Sequence, residues 1–151
     1  MFEVQVQTED FCVQEVLDGL LRHAPGVGAV THFIGIVREQ DATGPILEMH
    51  LEHYPAMSRK ALGQILDEAQ ERWPIRAAVV IHRVGSLKPG EQIVLVAVAT
   101  DHRGDGFAAC EYLMDQLKTR APFWKKETTP GGARWVQARQ SDERAAARWD
   151  S

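Results

Sequence analysis

Towards its carboxyl end the chain reads Leu117-Lys118-Thr119-Arg120-Ala121-Pro122-Phe123-Trp124-Lys125-Lys126-Glu127. Upstream, apolar residues recur at steps of three and four, which is the period of a helix: Phe107, Cys110, Met114, Leu117 and Ala121. Pro122 cannot donate an N–H and disfavours helical backbone at the residue before it, so we expect this helix to end at Ala121. An extended segment anchored by Phe123 and Trp124 should follow.

The lysines of this run are candidates for an anion-binding or catalytic site. Lys118 lies in the last helical turn, and a sharp reversal at Pro122 could bring Lys125 close to it. Each lysine alone has an ordinary explanation, because surface lysines are common and cations complement the end of a helix dipole. The proline and the two aromatic residues around them favour a functional role. Both interpretations stay open at this point.

The rest of the chain alternates strand and helix patterns in a single domain over 1–151. Strands are predicted at 2–7, 28–38, 46–53, 77–81, 93–99 and 133–139, and helices from about residue 13 to Pro25, from Pro55 to Trp73 and at 107–121. The runs 77–81 and 93–99 are continuously apolar, as in strands covered on both faces. A type II turn at Lys88-Pro89-Gly90-Glu91 predicts that they pair antiparallel. We expect an α+β fold with a mostly antiparallel sheet and two main covering helices.

Composition excludes several classes of protein. The 151 residues carry a net charge of −4, which is not the charge of a typical nucleic-acid-binding domain. No signal peptide is visible, and no apolar stretch approaches the ~20 residues that a membrane span needs. Cys12 and Cys110 are too far apart for a zinc motif or a disulfide framework, so we interpret both as core residues in a reducing, cytoplasmic protein. We predict no metal site and no cofactor.

A second candidate site precedes the 107–121 helix. A helix amino terminus offers free N–H groups to an anion, and His102 and Arg103 would add charge there. The alternative is that Asp101 or Asp105 caps the helix and that Arg103 is solvated. The two ends of this helix lie ~20 Å apart, too far for one small ligand. Two subunits that each supply one end would solve this problem.

Four motifs, in order along most of the chain, resemble the large, catalytic subunit of molybdopterin synthase. They are Phe33-x-Gly35-x-Val37-Arg38, Glu52-His53-Tyr54-Pro55, His102-Arg103 and the run K-T-R-A-P-F-W-K-K-E at 118–127. The resemblance implies a hammerhead-like fold and a central homodimer. It also implies a heterotetramer with a small ubiquitin-like subunit, which carries sulfur as a thiocarboxylate on its C-terminal Gly-Gly.

The implied reaction is a sulfur transfer of molybdenum cofactor biosynthesis, which converts a cyclic pyranopterin monophosphate (precursor Z) into the molybdopterin dithiolene. By this resemblance Lys118 and Lys125 are catalytic. The same resemblance assigns eight further positions to the substrate: Ile36, Val37, Arg38, His102, Arg103, Lys126, Glu127 and Arg139. The polar segment 140–151 could become ordered only against a partner.

The chemical role of Lys118 is left open by the sequence. Two nearby ammonium groups repel one another, so one lysine could become partly neutral and act as an acid, a base or a covalent nucleophile. A protein of another class would also retain the folding motifs. It would be a non-catalytic adaptor that binds a ubiquitin-like tail or a phosphorylated small molecule.

Overall fold

The computed structural model describes residues 1–41, 44–136 and 140–150. The elements are, in chain order, β1 (Phe2–Gln7), α1 (Val13–His23), β2 (Ala29–Ile36), β3 (Gln40–Asp41), β4 (Gly44–Pro45), β5 (Glu48–His53), α2 (Pro55–Arg72), β6 (Ile75–Arg83), β7 (Gly85–Leu87), β8 (Gln92–Thr100), α3 (Arg103–Arg120), β9 (Phe123–Thr129), β10 (Gly132–Val136) and α4 (Gln140–Ala147).

Two four-stranded sheets make up most of the fold. The first has the strand order β1-β6-β8-β2 and the second has the order β10-β9-β5-β7, while β3 and β4 form a short separate hairpin. β1 runs parallel to β6, and β6–β8, β2–β8, β5–β7, β5–β9 and β9–β10 are antiparallel pairs. The predicted α+β fold with mostly antiparallel strands is therefore confirmed.

Both faces of the first sheet are covered, as the apolar runs in β6 and β8 predict. Alternate residues such as Val79 and Leu95 pack with α1, whereas Val80 and Val96 pack with α2, α3 and the second sheet. Leu95 is fully buried, and burial of such a side chain contributes ~1.5–3 kcal/mol. The sequence predicted two covering helices; α1 is a third, because the outer face of this sheet also needs an apolar cover.

The connection between β6 and β8 differs from a simple hairpin. The type II turn is present, since Glu91 N donates to Lys88 O at 3.0 Å and Gly90 has a φ of +90°. β7 lies between β6 and this turn and pairs with β5 of the second sheet. Its three residues are too few to give a recognisable pattern, and the sequence did not predict it.

Side chains that lie close to the backbone explain two glycines. The ladder between β2 and β8 shifts at Gly35, where an added Cβ would lie 2.7 Å from Val94 Cγ1. A glycine at this irregular position of the strand thus avoids a clash. In the first turn of α3, a Cβ on Gly106 would lie 2.4 Å from Thr31 Oγ1. This contact holds the start of α3 tightly against β2.

β2 is an edge strand of the first sheet, with β8 on one side. Two of its large apolar side chains are exposed, Phe33 at 43% and Ile36 at 46%. An edge strand with exposed apolar groups is a surface on which another chain can pair.

The carboxyl-terminal segment packs on its own chain. Trp149 contacts Trp73 and Tyr112 edge to face, and its indole N–H donates to Asp115 at 2.7 Å. Arg72 also donates to Trp149 O at 2.6 Å. That 140–151 becomes ordered only against a partner stays a prediction based on its polar composition. Within one chain, these contacts of Trp149 provide an anchor near the end of the segment.

One local prediction is wrong: Cys12 is exposed and does not belong to the core, because it lies at the N-cap of α1. Asp10, close by, accepts hydrogen bonds from Phe11 N and Gln92 Nε2. Leu21 and Met57 are apolar residues of helices that are nevertheless 47% and 59% exposed. Cys110 is buried as expected, and burial raises the pKa of its thiol to about 11.

Candidate active site

The lysine run folds as the sequence predicts. α3 ends at Arg120, Ala121 has an extended backbone, and Phe123 N donates to Ala121 O at 2.9 Å. β9 then runs antiparallel to β5, with Phe123 opposite His53 and Lys125 opposite Leu51. The proline therefore marks the change from helix to strand.

Alternation along β9 separates its side chains into two sets. Phe123, Lys125 and Glu127 share the face that packs towards the core, since their neighbour Leu51 is buried there. The outward face carries Trp124, which packs edge to face on Tyr54 at 5.1 Å. Lys125 is therefore the lysine of this strand that faces the interior of the molecule.

His82 of β6 and Phe123 of β9 form a stacked pair of rings. The rings of His82 and Phe123 are 4.0 Å apart and 13° from parallel. His82 is 5% exposed, and its Nδ1–H donates to Arg83 O at 2.7 Å. Burial lowers the pKa of His82 to about 4, with smaller contributions in the same direction from Lys118 and His53. The imidazole is therefore neutral at pH 7.

This stack relates Lys118 to Lys125. The positive charge of Lys118, in the last turn of α3, contributes to the lowered pKa of His82, and Lys125 lies two residues from Phe123 on the same face of β9, ~7 Å along the strand. One lysine thus acts electrostatically on His82, and the other shares a strand face with the stacking partner of His82. The reversal at Pro122 brings them to the same end of the molecule.

Glu127 links Lys125 to a second cation. Glu127 is 4% exposed, with Oε1 3.6 Å from Lys125 Nζ and Oε2 3.7 Å from an Arg134 guanidinium nitrogen. Arg134 also forms an ion pair with Asp41. A buried carboxylate between two cations restricts where those cations lie.

Arg38 lies at this same end of the first sheet. β2 and β8 pair with Ile36 opposite Gln92, at the end of the sheet where His82 pairs with Val94. Val37 is buried, its N–H donating to Glu91 O and its carbonyl accepting from Gly90 N, both at 2.9 Å. These bonds fix the backbone that carries Arg38, whose own side chain is exposed.

His102 and Arg103 lie at the other end of α3. The helix starts at Arg103 and not at Phe107, and its 18 residues span ~27 Å. Neither proposed aspartate occupies the N-cap: Asp101 pairs with Arg76 at 2.9 Å, and the N-cap residue is His102, whose side chain makes no capping hydrogen bond. One protomer therefore does not bring Arg38 together with His102 and Arg103.

The remaining residues that were predicted to bind the substrate differ in exposure and in the side of the sheet that they face. Lys126 faces outward, with its ammonium 5.6 Å from the ring of Trp135, on the side of the sheet away from Lys125. Ile36 is exposed and Val37 is buried. Arg139 lies outside the described residues.

Sequence reasoning missed three residues near the lysines: His82, Arg134 and Asp41. His82 could be seen as a histidine in a buried strand, although nothing in the sequence indicated its neighbour. Arg134 could have been found from the hairpin around Gly131-Gly132, since that register sets it opposite Glu127. No pattern in the sequence indicated Asp41, because its ion pair with Arg134 depends on where the short β3–β4 hairpin lies.

The described residues contain no group of three or more His, Cys, Asp and Glu side chains arranged to hold a metal ion. Among the helices in that part of the chain, none is long and apolar enough to cross a membrane.

Comparison with known proteins identifies the family of this chain. Residues 6–120 match the family model described as MoaE protein. The chain belongs to the MoaE family. The match covers most of the chain, including Arg38, His102, Arg103 and Lys118. This confirms the family predicted from the four motifs.

Relatives of MoaE type match over nearly the whole chain. The molybdopterin synthase catalytic subunit of Ralstonia nicotianae is 56% identical over 146 residues, which cover 97% of this chain and 83% of that protein. The MoaE structure from Burkholderia ambifaria is 49% identical, with a TM-score of 0.86 over 100% of this chain and 99% of that one.

A more distant MoaE-like structure shows the fold alone. It is 20% identical, with a TM-score of 0.73, and covers 90% of this chain and 91% of its own. It comes from a complex of subunits 1 and 2 of the molybdopterin-converting factor of Helicobacter pylori.

Proposed function

We propose that this chain is the catalytic subunit of a molybdopterin synthase. It transfers sulfur to a cyclic pyranopterin monophosphate, precursor Z, and so forms the dithiolene of molybdopterin. The observation that carries this proposal is that α3 ends at Arg120 and β9 begins at Phe123, so Lys118 and Lys125 lie on either side of one short turn. The relatives that carry this name support it.

Lys118 and Lys125 are the proposed catalytic residues. Lys118 stands on a rigid helix end, and Lys125 is fixed by pairing of β9 on both sides and by Glu127. Two cations held at one place stabilise negative charge that develops when a thiocarboxylate or a phosphorylated pterin reacts. Lys118 can act there as acid, base or covalent nucleophile.

The phosphate of the substrate needs a binding site made of cationic residues. Arg38 lies at the lysine end of the protomer, and His102 and Arg103 lie ~27 Å away at the start of α3. We propose a homodimer in which one copy supplies Lys118, Lys125 and Arg38, while the second copy supplies its His102 and Arg103. Arginine suits this role because it can bind phosphate through two parallel hydrogen bonds.

The sulfur donor is a small ubiquitin-like subunit with a C-terminal Gly-Gly thiocarboxylate. Two such subunits on a central homodimer give a heterotetramer. A complex of the two subunit types is the state recorded for the Helicobacter pylori relative. The reaction belongs in the cytoplasm, and neither nucleic acid nor a membrane takes part in it.

A single-turnover assay tests the function. The protein is mixed with precursor Z and thiocarboxylated small subunit, and wild type is compared with Lys118→Ala and with Lys60→Ala, an exposed lysine on α2. We expect dithiolene from wild type and Lys60→Ala, and at least a ~100-fold slower reaction from Lys118→Ala with unchanged binding of the small subunit.

Two results would contradict the proposal. Wild type that binds the small subunit but makes no dithiolene would be an adaptor rather than an enzyme. Full activity of Lys118→Ala would retain the function and transfer the chemical role to Lys125.

A further inference from the structure

Arg134 connects two parts of the proposed site. On β10 it lies directly opposite Glu127 of β9, and its guanidinium is 3.7 Å from Glu127 Oε2. The same nitrogen forms a closer ion pair with Asp41 of β3. Arg134 is thus shared between a carboxylate next to Lys125 and a carboxylate on the β3–β4 hairpin.

Glu127 is incompletely paired despite its burial. Its Oε2 accepts no hydrogen bond from the described residues, and its contacts with Lys125 and Arg134 are longer than hydrogen bonds. A buried carboxylate in this state gains much from any cation that moves closer. The position of Lys125 therefore depends on how strongly Arg134 engages Glu127.

The hairpin that carries Asp41 also belongs to the site. Asp41 follows Arg38 by three residues, and Ile46 N donates to Glu39 O at 2.8 Å to close the loop. Leu47 N donates to Thr128 O at 2.8 Å, which attaches this segment to β9. Asp41 therefore stands where the Arg38 segment meets the lysine strand.

We propose that Asp41 and Arg134 are positioning residues, which determine through Glu127 how firmly Lys125 is held relative to Arg38. Asp41 draws Arg134 towards the hairpin, so Glu127 remains available to the Lys125 ammonium. The importance of this coupling for turnover rests on the proposed function of Lys125; the coupling itself does not.

The two single variants should change the strength with which Glu127 holds the Lys125 ammonium in opposite directions. In Asp41→Asn, Arg134 is released to Glu127, whose hold on Lys125 weakens. In Arg134→Gln, Glu127 loses one cation and holds Lys125 more firmly. Because Asp41 acts through Arg134, the double variant should behave as Arg134→Gln alone.

The rate at which lysine amines are acetylated, measured by peptide mass spectrometry, tests whether Asp41 acts through Arg134. The rate at Lys125 is measured against that of Lys60 in each folded protein. We expect it to rise roughly threefold in Asp41→Asn and to fall by a similar factor in Arg134→Gln and in the double variant. Asp41→Glu, which keeps the carboxylate, should restore a rate near that of wild type.

Turnover gives a second measurement, with a matched control. Asp41→Asn and Arg134→Gln should each lower kcat about tenfold with little change in KM, because the reacting groups are misplaced after the substrate binds. Glu111→Gln removes an arginine–carboxylate pair of the same kind, with Arg148 on the flank of α3, and should leave both constants unchanged.

Acetylation that is unchanged in Asp41→Asn overturns the proposal, as does a rise that persists in the Arg134→Gln background. The expected acetylation pattern with unchanged kcat supports the coupling. That result would instead count against the catalytic role of Lys125.

Discussion

His82 shows how a single buried side chain shapes the lysine site. Its Nδ1–H is held by the carbonyl of Arg83, and its ring faces Phe123. Burial disfavours a proton on this ring, and the charge of Lys118 adds to that effect, so the folded protein keeps the imidazole neutral. His82 therefore adds no positive charge to the lysine site.

The low pKa of His82 predicts a pH dependence of stability. Between pH 6.5 and about 4 the unfolded chain binds a proton at residue 82 that the folded protein does not, so stability falls as the pH is lowered. From pH 7 to pH 5 this one group should cost about 2 kcal/mol. Urea unfolding of wild type and His82→Gln at both pH values measures it. An equal loss in the two proteins would contradict the assignment.

At the scale of elements, contacts between distant segments position α3. Gly106 allows the first turn to lie against Thr31, and Trp149 packs on the flank of the helix beside Tyr112 and Trp73. Both contacts lie away from the lysines. They nevertheless determine where the helix, and so Lys118, stands relative to the first sheet.

Gly106→Ala should destabilise the protein by about 1–3 kcal/mol, because the new methyl group would meet Thr31 Oγ1 at 2.4 Å. Gly63→Ala in α2 is the matched control. No atom lies within 4 Å of its Cβ position, so the better helix former should add about 0.5–1 kcal/mol. Thermal unfolding of the two variants compares them, and a loss of stability in both would refute the steric explanation.

Trp149→Ala should lower the free energy of unfolding by about 2–3 kcal/mol, since it removes two edge-to-face ring contacts and the hydrogen bond to Asp115. Trp135→Ala removes the same side chain from a position that is 55% exposed, and should change stability by less than about 1 kcal/mol. Chemical denaturation provides both values. Similar losses would mean that the tail is not anchored by its tryptophan.

Elements with a strong local signal could be predicted from the sequence. Pro122 ended α3 as expected, and the apolar runs of β6 and β8 identified the central strands. The strand order could not be predicted, nor the exit of β7 to the second sheet, because neither leaves a local pattern. The lysines could be named from the motif, whereas the stacking of His82 on Phe123 depends on packing between distant segments.

At the scale of the whole molecule, the two ends of α3 define the organisation of the proposed dimer. The helix carries Lys118 at one end and Arg103 at the other, ~22 Å apart along its axis. Each active site would then use opposite ends of two different helices. The two sites of a dimer are built from the same pair of chains.

Mixing inactive variants tests this arrangement. Dimers reassembled from equal amounts of Lys118→Ala and Arg103→Ala should recover about one quarter of the wild-type sites, because half of the dimers are mixed and each holds one intact site. Lys118→Ala mixed with Lys125→Ala is the control and should recover nothing, since both changes fall at the same end. No recovery in the first mixture would place the whole site within one protomer.

The exposed edge of β2, with Phe33 and Ile36 on it, has a consequence for the life of the protein in a cell. A copy without a partner on this edge presents unpaired backbone and the apolar side chains of Phe33 and Ile36. Chaperones and proteases recognise such features, so we expect this copy to be removed sooner than one in which the edge is covered. The amount of protein would then depend on the rate of assembly as well as on the rate of synthesis.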